Sequence, residues 1–217
     1  MKTFQKKPLF IGIGLLLSFV IWTVLVSSVD VGAIGPRGGK VGFSTLNGYV
    51  HALTGVSFSL YLITDILGFV PILTALGFAV LGLFQTVKRK SILRADRSLI
   101  ALGVFYAAVV ALYILFELVV INERPVLIDG VGEASYPSST TLLVGCVMPT
   151  AMMQIRPRVK SKLLRRCLLI SVSVFIIFTV LCRFLSGVHW ITDIIGGALL
   201  SAGLVTVYYS AFSAFSQ

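Results

Sequence analysis

Apolar runs long enough to cross a bilayer recur along almost the whole of this 217-residue chain, separated by short polar or charged stretches. A helix needs about 20 apolar residues to span the hydrocarbon core. By that measure the pattern predicts about six transmembrane helices, over residues 9–29, 67–87, 99–121, 138–155, 168–185 and 194–209. The first run exceeds the roughly 7 to 15 residues of a signal-peptide core, so it is expected to remain as an anchoring helix. Residues 30–47 are polar and Gly-rich, with the turn sequence Gly35-Pro36-Arg37-Gly38-Gly39, and read as a loop. From 48 to 65 the pattern is mixed, with His51, Thr54, Ser57, Ser59, Thr64 and Asp65 set among Tyr, Leu and Val. That mixture predicts an interfacial helix on the outer face. The expected fold class is all-α, a polytopic membrane protein forming one domain over 1–217.

Composition agrees with this reading: 57% of residues are apolar and 12% charged, and the mean hydropathy is +1.01. Such values exclude a disordered chain, a small disulfide scaffold and a water-soluble nucleic-acid binder. The net charge of +10 still has to be placed. Fourteen of the 18 basic residues fall in three clusters: Lys2, Lys6 and Lys7; Lys88, Arg89, Lys90, Arg94 and Arg97; Arg156, Arg158, Lys160, Lys162, Arg165 and Arg166. Each cluster adjoins an apolar run, as cytoplasmic loops do under the positive-inside rule. The partners expected for these charges are therefore membrane lipids and not nucleic acid. With six spans, both termini are expected in the cytoplasm, and the short loops fit a bacterial plasma membrane.

Function has to be sought among ionisable and hydroxyl residues at span ends, because a charge at membrane depth is costly unless it is paired or faces a polar cavity. Three patches stand out, and the topology brings them to one side. The first holds Glu117 and Arg124-Pro125, where the planar guanidinium matches two phosphate oxygens. The second is Tyr136-Pro137-Ser138-Ser139-Thr140-Thr141, whose hydroxyls open a span at its anion-favouring end. The third runs from Arg183 through Gly187 to His189 and Asp193. Four-residue spacing predicts that His189 and Asp193 share a helix face, with the carboxylate accepting one ring N–H and freeing the other nitrogen. An imidazole nitrogen beside a cation is suited to attack phosphorus.

In order and spacing these patches resemble the type 2 phosphatidic acid phosphatase family, membrane lipid phosphate phosphatases related to the vanadium haloperoxidases. That family's pattern is Lys, six residues, Arg-Pro; Pro-Ser-Gly-His; and Ser-Arg, five residues, His, three residues, Asp. Arg183, His189 and Asp193 match the third motif, with Cys182 in place of the serine. Arg124-Pro125 and Pro137-Ser138 are kept, while Glu117 stands for the lysine and Ser139-Thr140 for Gly-His. The resemblance covers about residues 60–210. It implies a six-helix fold and hydrolysis through a phosphohistidine at the outer face, without metal or cofactor. By carry-over, His189 is the nucleophile, Asp193 orients it, and Arg124 and Arg183 hold the phosphoryl oxygens, with Ser138, Ser139 and Thr140 adding phosphate contacts.

The departures shape the expected substrate. A threonine cannot protonate a departing alkoxide near neutral pH, whereas a phosphate monoester, with a second pKa of about 6, leaves as a stable anion. The expected substrate is a lipid diphosphate, such as an undecaprenyl-type polyprenyl diphosphate, in preference to phosphatidic acid. His51 is the candidate substitute acid. Glu117 is expected to pair with Arg124 or Arg183, or else to be protonated, since a bare carboxylate repels phosphate. The alternative is a catalytically impaired relative that binds a lipid phosphate or a membrane partner.

Overall fold

The computed structural model describes residues 5–92 and 95–215; Lys2 and Arg94 of the basic clusters lie outside the described residues. Among the described residues eight α-helices follow in order: α1 Lys6–Ser28, α2 Ser44–Thr54, α3 Phe58–Leu67, α4 Phe69–Arg89, α5 Arg97–Leu118, α6 Ser139–Arg158, α7 Lys162–Leu185 and α8 Ile191–Phe215. Among the described residues there are isolated bridges but no strands. Polar side chains set several starts by accepting a free backbone N–H: Ser57 for α3, Asp96 for α5, Ser138 for α6 and Ser161 for α7. Ser161 starts α7 six residues before the apolar run at 168–185, so its basic residues form a first helical turn.

Among the described residues five helical segments are long and apolar enough to cross a membrane: α1, α3 with α4, α5, α7 and α8. Their outward faces carry exposed apolar side chains such as Phe10, Leu73, Val104 and Leu163, the inverse of a water-soluble surface. The sixth expected span falls on α6, a 20-residue helix with ten buried residues that is not among those five segments. It packs against α4, α5, α7 and α8, so its threonines and Gln154 face protein.

The segment at 48–65 differs from the interfacial helix expected of it. It is broken at Gly55-Val56-Ser57; α2 stops there, and α3 runs on through Gly68, in right-handed helical conformation, into α4. The Ser57 cap starts a new helix, and the eight residues after it belong to the second membrane segment, 58–89.

α1 lies along α8 at close range. A Cβ on Gly12 would meet Val207 at 2.7 Å and one on Gly203 would meet Leu16 at 2.8 Å, so small residues permit the approach. Beside them Phe19 stacks on Tyr136, whose hydroxyl bonds Thr23 Oγ1 at 2.7 Å. The loop after α5 is thereby moored to the bundle core. At the far end, Arg158 pairs with Asp96 at 2.5 Å and hydrogen-bonds Gln154, while Gln154 donates to Tyr208, tying α5, α6 and α8 together. The basic clusters adjoin this end, at the C-termini of α4 and α6 and the N-termini of α1, α5 and α7. The C-termini of α1, α5 and α7 and the N-termini of α6 and α8 meet at the other end, a helix length of roughly 30 Å away.

Candidate active site

The loop between α5 and α6 is a hairpin, and its local pairing sets Arg124. Arg124 N–H donates to Glu133 O, Ile128 and Val131 close the tip, and Ser135 N–H donates to Asn122 O. Arg124 and Glu133 are therefore cross-strand neighbours, and Arg124 Nε lies 3.1 Å from Glu133 Oε2. The distance makes an ion pair, but the N–H is not aligned for a hydrogen bond, and Nε and Nη1 of this buried arginine have no hydrogen-bond partner among the described residues.

Arg183 occupies the last turn of α7 and is 1% exposed. Its Nη1 donates to Thr64 Oγ1 at 3.2 Å, while Nε has no partner among the described residues. Both guanidinium groups face the Tyr61 ring, Arg183 Cζ at 5.0 Å and Arg124 Cζ at 5.9 Å from its centroid. Two residues remote in sequence thus converge on one aromatic side chain.

His189 stands in the turn before α8, not on the helix. Gly187 makes that turn possible: its φ is +66°, and an added Cβ would lie 1.8 Å from Gly55 O. The turn is clipped to the α2–α3 junction, with Ser57 N–H donating to Ser186 O at 2.9 Å. His189 Nδ1 lies 3.2 Å from Ser135 O and 3.0 Å from Ser135 Oγ, whereas its nearest approach to Asp193 Oδ2 is 3.8 Å. The expected direct His189–Asp193 hydrogen bond is therefore replaced by a serine between them, because the ring precedes the helix that carries the carboxylate. Ser135 Oγ donates to Asp193 Oδ2 at 2.5 Å. Asn122 Nδ2 and Trp190 N–H also donate to the same carboxylate, at 3.1 and 3.0 Å.

A carbonyl can only accept, so Ser135 O fixes the proton on Nδ1 and leaves Nε2 as the lone-pair nitrogen. Nε2 is buried with no partner among the described residues. Burial first, then the charges of Arg183 and Arg124, holds the imidazole well below its ordinary value, so the ring is neutral and its closeness to Asp193 is no ion pair. Chemically, the arrangement offers an uncharged nitrogen lone pair beside two guanidinium groups with unused N–H donors.

The other expected residues fall as follows. Ser138 is fully buried and accepts from Thr141 N–H and Oγ1, serving as the α6 cap, while its own N–H donates to Asp193 O. Thr140 is buried, and Ser139 is half-buried beside Glu117 in a small pocket. Glu117 does not pair with either arginine among the described residues; it is exposed near the end of α5, one turn on from Tyr113. Glu133 takes the role expected of it, since hairpin pairing rather than helix spacing decides which carboxylate meets Arg124. His51 Nε2 donates to Gly187 O at 3.1 Å and its ring lies 5.4 Å from Trp190, so it braces the turn that carries His189. Asn47 braces the start of α8, which follows that turn, donating to Thr192 Oγ1 and to Gly42 O. Ser135, Asn122, Glu133, Tyr61 and Thr64 were not found from sequence; a hydroxyl two residues before Pro137 was the one available signal.

Comparison with known proteins follows the same lines. Residues 118–216 match the sequence model of the PAP2 superfamily. No curated protein matches the chain. Among solved structures, a transmembrane PAP2-type phosphatidylglycerolphosphate phosphatase from Bacillus subtilis is similar over 92% of this chain and 94% of its own, with a TM-score of 0.58 and 18% identity. The likeness to the type 2 phosphatidic acid phosphatases is therefore shown in sequence over residues 118–216 and in fold along nearly the whole chain.

Proposed function

We propose that this protein is a membrane phosphatase acting on a lipid phosphate or diphosphate through a phosphohistidine on His189. One observation carries the reading: four buried nitrogens, Arg124 Nε and Nη1, Arg183 Nε and His189 Nε2, have no hydrogen-bond partner among the described residues. Buried donors are rarely left unmatched, and a phosphoryl group supplies the acceptor oxygens and the electrophilic phosphorus that this set lacks. Nε2 attacks phosphorus, the P–N bond forms as the bond to the leaving oxygen breaks, and the arginines hold the charge on the equatorial oxygens. The ring becomes cationic, and its Nδ1–H bonds to Ser135 strengthen. Water then attacks the phosphohistidine, releasing phosphate and restoring the neutral ring.

The leaving group selects the substrate. Thr140 stands where the family carries its proton-donating histidine, and His51 directs its Nε2 proton to Gly187 O. A diphosphate, whose leaving group is already a stable anion, is the favoured substrate, with a polyprenyl diphosphate ahead of phosphatidic acid. The separation of the site from the basic clusters supports an outward-facing site with both termini in the cytoplasm of a bacterial cell. Phosphate release by the purified protein is expected from polyprenyl diphosphate faster than from phosphatidic acid, and to vanish in His189→Ala. Equal rates in that variant would overturn the mechanism, and a preference for the monoester would overturn the substrate assignment.

The Arg124–Glu133 pair favours a second reading, a binding-only relative, because Glu133 competes with an incoming anion. Tight lipid phosphate binding with no turnover would select it.

A further inference from the structure

The segment that holds both arginines in place lies outside the three motifs and outside the matched residues 118–216. Tyr61 and Thr64 are three apart on α3 and so share a face. Thr64 is fully buried and donates its hydroxyl proton to Tyr61 O at 2.9 Å, which leaves a lone pair to accept from Arg183 Nη1. The aromatic ring above it faces both guanidinium groups within 6 Å. Two cations brought together under low dielectric repel each other, and a ring within 6 Å of both supplies the negative side of its quadrupole to each. The family's third cation is absent here, since its place is taken by Glu117, exposed on α5. Two arginines alone must grip the phosphoryl group, and they can do so only if their unused N–H groups keep a fixed relative orientation.

We infer that Tyr61 and Thr64 are positioning residues of the phosphoryl site, orienting Arg183 and Arg124 for one oxyanion, so that α3 forms a wall of the site. The inference rests on the reading of the two arginines as an oxyanion cradle. Because Ser57, at the start of α3, bonds Ser186, the wall is tied to the turn that carries His189.

The test is orthovanadate binding to the purified full-length protein in nanodiscs, alongside KM, kcat and melting temperature, for wild type, Tyr61→Phe, Tyr61→Leu and Thr64→Val. Loss of the ring face is expected to weaken orthovanadate about tenfold in Tyr61→Leu and to raise KM, while Tyr61→Phe stays within twofold of wild type. Thr64→Val, which loses the bond to Arg183 and keeps the shape, is expected to weaken binding about fivefold. Its reading stands even if Tyr61→Leu unfolds. Orthovanadate affinity unchanged in both Tyr61→Leu and Thr64→Val would overturn the inference and leave the cradle intact. Equal losses in Tyr61→Phe and Tyr61→Leu would also overturn it, since the hydroxyl and not the ring face would then be responsible. Wild-type protein that binds no orthovanadate would overturn the cradle itself.

Discussion

Replacing Ser135 by alanine isolates one bridge in the proposed mechanism. Ser135 Oγ touches Asp193 Oδ2 at 2.5 Å and His189 Nδ1 at 3.0 Å, and the two partners are 3.8 Å apart without it. In Ser135→Ala the carboxylate keeps two of its three donors, Asn122 Nδ2 and Trp190 N–H, and the ring keeps the Ser135 carbonyl. The tautomer should therefore survive. What is lost is the link between the carboxylate and a ring that becomes cationic as the P–N bond forms. A hydrogen bond to a charged group contributes about 1.5–3 kcal/mol, and one that matters only when the ring is charged acts on the transition state and not on ground-state binding. That range converts to about a 10- to 150-fold fall in kcat with little change in KM. The assay is steady-state phosphate release from a lipid diphosphate, with orthovanadate affinity and melting temperature as controls for intact structure. A kcat within twofold of wild type, or a loss confined to KM, would refute the reasoning.

Three further outcomes follow from the same geometry. The folded His189 imidazole is held well below its ordinary value, so the unfolded chain takes up a proton near pH 6.5 that the folded chain refuses; stability thus rises with pH up to about 6.5. The melting temperature is expected to drop more steeply from pH 7 to pH 5 in wild type than in His189→Gln, and parallel slopes would contradict this. Glu133→Gln removes a half-exposed carboxylate that competes for Arg124 and is expected to tighten orthovanadate binding about two- to fivefold, the scale of an exposed ion pair; weaker binding would show that Glu133 positions the arginine instead. Gly187→Ala forces a Cβ against Gly55 O and a side chain into left-handed backbone, so the turn carrying His189 must move; a displacement of about 1 Å corresponds to roughly 100-fold in kcat, and a loss under threefold would sink the argument.

What could be read in the sequence was what geometry keeps local. Arg183, His189 and Asp193 sit within one helix–turn–helix, so their spacing alone brought them together, and the apolar runs gave the helices because a bilayer fixes the length of a span. The bridging serine was hidden because His189 precedes α8 by two residues, which changes the helical face argument into a loop argument. Glu117 misled for a related reason. Its place in the motif is seven residues before Arg124, but α5 ends at Leu118 and the hairpin turns away, leaving the carboxylate behind on the helix surface. The mixed pattern at 48–65 predicts one interfacial helix, yet its polar residues belong to different jobs: His51 holds the turn that carries His189, Ser57 starts a helix and Thr64 holds an arginine. No periodicity describes them, since the partners of His51 and Thr64 lie more than 100 residues away.

Three carboxylates near one cationic site make the division of labour physical. Asp193 is fully buried and takes three donors, which matches an acceptor-only group with little room for a fourth partner. It is thus held as a fixed anchor whose charge reaches the ring through Ser135. Glu133 is 42% exposed, keeps its hydration, and offsets the charge of Arg124 when no anion is present. Glu117 is exposed beyond either arginine's reach, so it repels a bound phosphate through water and not through protein. Distance and solvation, not the count of acidic residues, decide which carboxylate opposes an incoming anion, and on that ground Glu133 is the residue to change for tighter binding, whereas loss of Asp193 is expected to disable the proposed nucleophile.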